Sequence, residues 1–193
     1  MKTLLILRMF SCLILIVTYQ AIAQTESRIV GDVGLGVYKT PAITRTTDNN
    51  VLMLPYLYAD YGNLYSRVDT FGYKLLPLGA GHLEIATRLS FEGYRPDNAN
   101  LANRTRPKPI GIGTFQETPF GAFILYGFRD TVTAGTLLDA TYALEWERAG
   151  LHIYPQVGIE RRSAKYTNGL YGVSTIESTR SSVSTYNPGS SDI

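Results

Sequence analysis

Few residues in this chain could do chemistry. It has 2 histidines and 1 cysteine. His82 or His152 could act as a base, with Ser90 as nucleophile and Asp139 or Glu145 orienting the ring. That chemistry needs nucleophile, base and orienting group within hydrogen-bond reach. No spacing here enforces it, so no catalytic residue is expected. Two isolated histidines also fall short of a metal's usual set of side-chain ligands, so no metal and no cofactor is expected. Gly31, Gly34 and Gly36 lack the spacing of a phosphate-binding loop, and no helix pattern follows them. Arg104, Arg106 and Lys108 make a basic run that is either a solvated loop or a contact for the phosphates of lipopolysaccharide.

The elements that must position these residues have a period of two. In Gly81–Gly93, Leu83, Ile85, Leu89 and Phe91 take odd places, while His82, Glu84, Arg88 and Glu92 take even ones. A helix would repeat its apolar residues every three or four positions, so this is a strand with one apolar and one charged face. The same alternation runs through Ile29–Tyr38, Leu138–Glu147 and Leu151–Glu160, the last two flanking a short turn at Arg148–Gly150. It places His152 on a charged face too. Further strands are expected at 51–59, 64–75 (single, or split at Thr70–Gly72) and 120–129. Runs of this length approach the roughly 9 to 11 residues that cross a bilayer on a tilt. Charges recur in mid-strand on one face, which an aqueous barrel lumen tolerates. The fold class expected is therefore all-β, an antiparallel transmembrane β-barrel of the outer-membrane type. Leu83, Ile85, Leu89 and Phe91 would face lipid. His82, Glu84, Arg88, Glu92 and His152 would face the lumen. The chain's 14 tyrosines suit strands and the interfacial girdles of barrels.

The beginning of the chain agrees with that class. Lys2 and Arg8 frame a basic start, an apolar run spans Met9–Val17, and Ala21–Ile22–Ala23 has the small-x-small pattern of a cleavage site. Residues 1–23 read as a secretory signal peptide, leaving residues 24–193 as one barrel domain. Cys12 leaves with the leader. Lys2 and Arg8 leave as well, so the remaining basic residues balance the 16 acidic ones. This balance gives no electrostatic reason to expect nucleic acid as a partner. Arg95–Thr118 reads as a long loop, and so does the polar tail Ser178–Ile193.

Several words in the sequence carry a resemblance. YTNGLYGVSTIES (Tyr166–Ser178) and STYNPG (Ser184–Gly189) are similar to stretches of the MipA/OmpV family of Gram-negative outer-membrane proteins. Tyr171, Gly172, Val173, Glu177 and Tyr186 match that pattern, and upstream Tyr94, Pro96 and Asp97 match the family's loop after an alternating strand. The resemblance runs from about Val33 to Gly189. Family members usually continue for several more strands, so a member truncated at its C-terminus is expected, with the barrel incomplete. The resemblance implies an outer-membrane scaffold in contact with lipid and lipopolysaccharide, bridging a lytic transglycosylase and a bifunctional penicillin-binding protein. It implies no catalytic residues.

Overall fold

A computed structural model describes residues 28–39, 51–148 and 151–193. The expected leader lies outside these residues, as do Ala149 and Gly150. The strands in chain order are β1 (Ile29–Lys39), β2 (Val51–Tyr61), β3 (Leu64–Arg67), β4 (Thr70–Leu78), β5 (Gly81–Arg88), β6 (Pro109–Thr118), β7 (Gly121–Asp130), β8 (Thr136–Ala143), β9 (Trp146–Arg148), β10 (Leu151–Ile153), β11 (Gln156–Arg162) and β12 (Ser191–Asp192). Two helices, α1 (Ala164–Tyr171) and α2 (Thr175–Ser181), precede β12. One antiparallel sheet runs β1 through β8, then β11 and β12, while β9 and β10 form a separate small hairpin. The all-β antiparallel class holds, and the sheet is barrel-like. No closed barrel forms among the described residues: β1 lines one edge, and β12 pairs only with Arg161 and Arg162 at the other.

The sheet is nevertheless strongly curled. β5 and β11 are four strand positions apart, or roughly 19 Å across a flat sheet at the usual strand spacing. Yet Arg88 on β5 donates to Glu160 on β11 at 2.8 Å. Only a trough that brings its inner face together allows this. Of the two-residue turns between neighbouring strands of the sheet, those at 62–63, 79–80 and 119–120 lie at one end, the turn end, and the one at Val68–Asp69 lies at the other. The long connection 89–108 and both helices lie at the other, the loop end.

The alternation sorts side chains between the faces. On the outer face, Val33 is 76% exposed, Ile112 60% and Leu138 58%. On the inner face, Glu84 is 1% exposed. The outer face is mostly apolar, and the inner face holds paired charges beside a small core of Tyr126, Phe128 and Leu137. Among the described residues, no helix is long and apolar enough to cross a membrane.

Four expectations need correction. First, 109–118 is not loop but β6, paired along its length with β7. Its inward positions Gly111 and Gly113 carry no side chain, because β7 fills that space; a Cβ on Gly113 would lie 2.0 Å from Tyr126 Cδ1, and one on Gly111 2.0 Å from Gly127 O. Second, β5 stops at Arg88, so Leu89, Phe91 and Glu92 lie beyond the strand. Third, the 64–75 segment splits at Val68–Asp69 rather than at Thr70–Gly72, with Val68 in the left-handed region at φ 64. Fourth, the tail is not all loop. α2 reaches Ser181 and β12 begins at Ser191. The expected runs 138–147 and 151–160 are also each interrupted, at Leu144–Glu145 and at Tyr154–Pro155.

Candidate functional site

The charged inner face is a connected network. Arg88 pairs with Asp139 on β8 and Glu160 on β11, each at 2.8 Å. Arg162 then pairs with Glu160 at 2.6 Å and Glu92 at 2.5 Å. Charge alternates along this chain, so each group is neutralised by its neighbours. That is what makes burial of so many ions tolerable. A second cluster lies toward the turn end. There Asp60 accepts from Arg67 at 2.7 Å and Lys74 at 2.8 Å. The Arg67 guanidinium lies within about 5 Å of the Tyr58, Tyr65 and Phe115 rings, a cation–π arrangement. Between the two clusters the Tyr126 hydroxyl donates to Glu84, and the Tyr65 and Tyr126 hydroxyls lie 3.0 Å apart.

At the loop end, α1 seals the interior. Ser163 caps it by accepting from Tyr166 N at 3.4 Å, and its Oγ also accepts from Thr136 N at 2.8 Å. Tyr166 and Leu170 are fully buried against Phe128 and Leu137. The helix sits so close to the β7–β8 turn that a Cβ on Gly135 would lie 2.3 Å from Tyr166 N. The Tyr166 and Tyr171 hydroxyls both donate to Glu92. Burial, reinforced by the Glu92 charge, pushes Tyr166 well above the usual phenol range and Tyr171 up to about 12.

Beyond α1, Glu177 ties α2 to the 89–108 connection. It forms a capping box with Ser174 at the start of α2. It also accepts from Ala102 N at 3.1 Å and pairs with Arg104 at 3.0 Å. Burial alone would raise this carboxyl. The Ser174 and Ala102 N–H groups, the Ser174 hydroxyl and Arg104 outweigh it and hold the group at about 2. Arg104 also donates to Gly172 O at 2.7 Å.

These contacts bring together segments far apart in sequence, and that juxtaposition gives meaning to the comparison with known proteins. The model of the family "MltA-interacting protein MipA" matches residues 33–191. This chain belongs to the MipA family. Relatives named MltA-interacting protein, from Escherichia coli (strain K12) and Shigella flexneri, are each 26% identical over 199 residues, covering 96% of this chain and 77% of theirs. No solved structure matches significantly.

The MipA words of the sequence assemble at the loop end. Tyr94 forms a backbone bridge with Arg104, and Val173 forms one with Tyr186. Gly172 ends α1, and Tyr171 reaches Glu92. Pro96 and Asp97 lie between the Tyr94 bridge and Asn98, whose side chain donates to Ser181 O at 3.2 Å. Of the charged candidates, Arg88 and Glu92 join one network through Glu160 and Arg162, while Glu84 lies apart with Tyr126. His82 shares the face of Glu84 near the turn end and is half-buried. His152 pairs with Glu147 in the β9–β10 hairpin, and its side chain lies outside the described residues.

The catalytic grouping weighed from sequence is not assembled through His82. It sits at the turn end of β5 and Ser90 just past the loop end, roughly 26 Å apart at strand rise. Asp139 is engaged by Arg88. Among the described residues, no group of three His, Cys, Asp or Glu side chains is placed to hold a metal. At the end of β11, Glu160 and Arg162 enter the interior network and Arg161 lies outside. Sequence reasoning also missed the pairing of Arg104 with Glu177. The available signal was Ser174-Thr175-Ile176-Glu177, a capping-box spacing that announces α2.

Proposed function

We propose that this chain is an outer-membrane strand protein that holds a lytic transglycosylase, and a bifunctional penicillin-binding protein beside it, at the membrane next to peptidoglycan. The observation that carries the membrane reading is the inverted sheet: exposed Val33, Leu35, Ile112, Leu138 and Ile159 outside, paired ions inside. Water would not favour such a surface, whereas lipid does, and an aqueous interior accommodates the ions. The name of the two relatives supports the transglycosylase as a partner. By the rule that barrels keep their short turns in the periplasm, the turn end faces peptidoglycan and the loop end faces outward. On this reading Arg106 and Lys108, both exposed, meet lipopolysaccharide, while Arg104 is committed to Glu177.

The first experiment is fractionation with intact-mass measurement. The outer-membrane fraction is expected to contain a chain beginning at Gln24, cleaved after Ala23. Affinity capture from solubilised membranes should retain the lytic transglycosylase. Recovery only from the soluble fraction, or capture without that enzyme, would remove the respective half of the proposal.

A second reading, a ligand-binding or conducting barrel, has one observation in its favour. At the turn end a cavity of about 1090 Å³ opens between Asp32, Tyr56, Tyr58, Phe115, Glu117 and Tyr154. Steady single-channel conductance in planar bilayers would favour it over the scaffold.

A further inference from the structure

We infer that the outer face carries a site for one phosphorylated glycolipid, the lipid A anchor of lipopolysaccharide, with an acyl chain in a trough across the strands and a phosphate at Arg161. The inference rests on the membrane reading above and adds a defined ligand and place to it. A depression of about 610 Å³ crosses the outer face, lined by Leu83, Ile112, Leu125, Leu138 and Ile159. Its floor is cut by small residues. Gly127 lies opposite Leu138, and Ala140 lies opposite Leu125 and Ile159. The trough is apolar for most of its length and meets a cation at one end, Arg161, which is 66% exposed in its side chain and only loosely paired with Asp192 at 3.7 Å.

The surrounding charge is asymmetric. The interior cations Arg67, Lys74, Arg88 and Arg162 are all in ion pairs. By contrast, Arg129 and Lys108 at the loop end are exposed, and neither side chain is engaged in an ion pair among the described residues. Arg129 lies on the outer face opposite Thr136, two residues along β8 from Leu138, the partner of Arg161. An apolar channel ending at a cationic rim complements an amphiphile with an acyl tail and an anionic head. Several cations spread across neighbouring strands suit a headgroup with more than one phosphate. The loop end, where this rim lies, is the outward-facing one in the orientation proposed above.

The test uses the full chain purified in a neutral detergent and titrated separately with lipid A and with phosphatidylglycerol, bound lipid being counted by native mass spectrometry. Lipid A is expected to be retained in preference to phosphatidylglycerol. Arg161→Gln should weaken lipid A about tenfold, the scale of one charge-assisted contact. Gly127→Leu should weaken it by filling the trough. The outer side of Gly127 has room, since an added Cβ would meet only Leu138 Cδ2 at 3.5 Å, so this variant tests the site without disturbing the sheet. Equal retention of the two lipids, or lipid A binding unchanged in both variants, would overturn the inference. Flotation with phosphatidylcholine vesicles separates the two levels. A chain that floats but shows no lipid A preference loses the site and keeps the membrane reading; a chain that does not float loses both.

Discussion

Glu177 accepts from Ser174 at the cap of its own helix and from Ala102 N in the 89–108 connection, and pairs with Arg104 of that same connection, so protonating it weakens the loop end. Its carboxyl is held at about 2, against an ordinary value of 4.5. The unfolded state therefore takes up the proton first as pH falls. The stabilisation is complete above about 4.5 and drains away between there and about 2. Limited proteolysis at the loop end should accelerate through that window. In Glu177→Gln this pH dependence should vanish and stability should drop by about 3 kcal/mol, because Arg104 is left buried without its anion. An acid transition unchanged in the variant would assign it to another carboxylate. The interior offers a parallel case. Arg88→Met leaves Asp139 and Glu160 facing each other without their shared cation, and should cost about 3 to 5 kcal/mol in denaturant unfolding.

At the scale of elements, each strand's faces are separable by substitution. Ile112 sits mid-strand on the outer face of β6. Ile112→Arg should cost about 2 to 4 kcal/mol if that position lies near the bilayer midplane, read as folded fraction in lipid vesicles. Leu89→Arg should cost less, since Leu89 lies past the end of β5 and outside the sheet. Equal costs at the two positions would mean that the sheet does not sit in lipid as proposed. The β9–β10 hairpin carries Trp146, 52% exposed, on the turn end. An exposed aromatic there suits a partner contact. Trp146→Ala should reduce capture of the lytic transglycosylase while leaving the fold intact, as judged by circular dichroism.

For the whole molecule, α1 decides between a conduit and a plugged trough. Tyr166 and Leu170 fill the interior at the loop end, whereas the cavity lies toward the turn end. Wild-type protein should therefore conduct poorly in planar bilayers, and Tyr166→Ala should raise the conductance. A steady wild-type channel would favour the pore over the scaffold.

The sequence by itself determined the all-β class, the facing of most strands and the family. Period-two alternation is a local property, readable in Leu83–Ile85 or Val157–Ile159 without any partner, and the family words are contiguous. It could not reveal β6, because half of that alternation is supplied by another strand: Gly111 and Gly113 leave space that β7 fills. Nor could it reveal which ions pair. Arg88 and Glu160 are 72 residues apart, and Arg104 lies in the 89–108 connection while Glu177 lies in α2. Their meeting depends on how far the sheet curls and where α1 seats against Gly135. Only the tertiary structure decides those distances, and buried ions are stable only where the distances close.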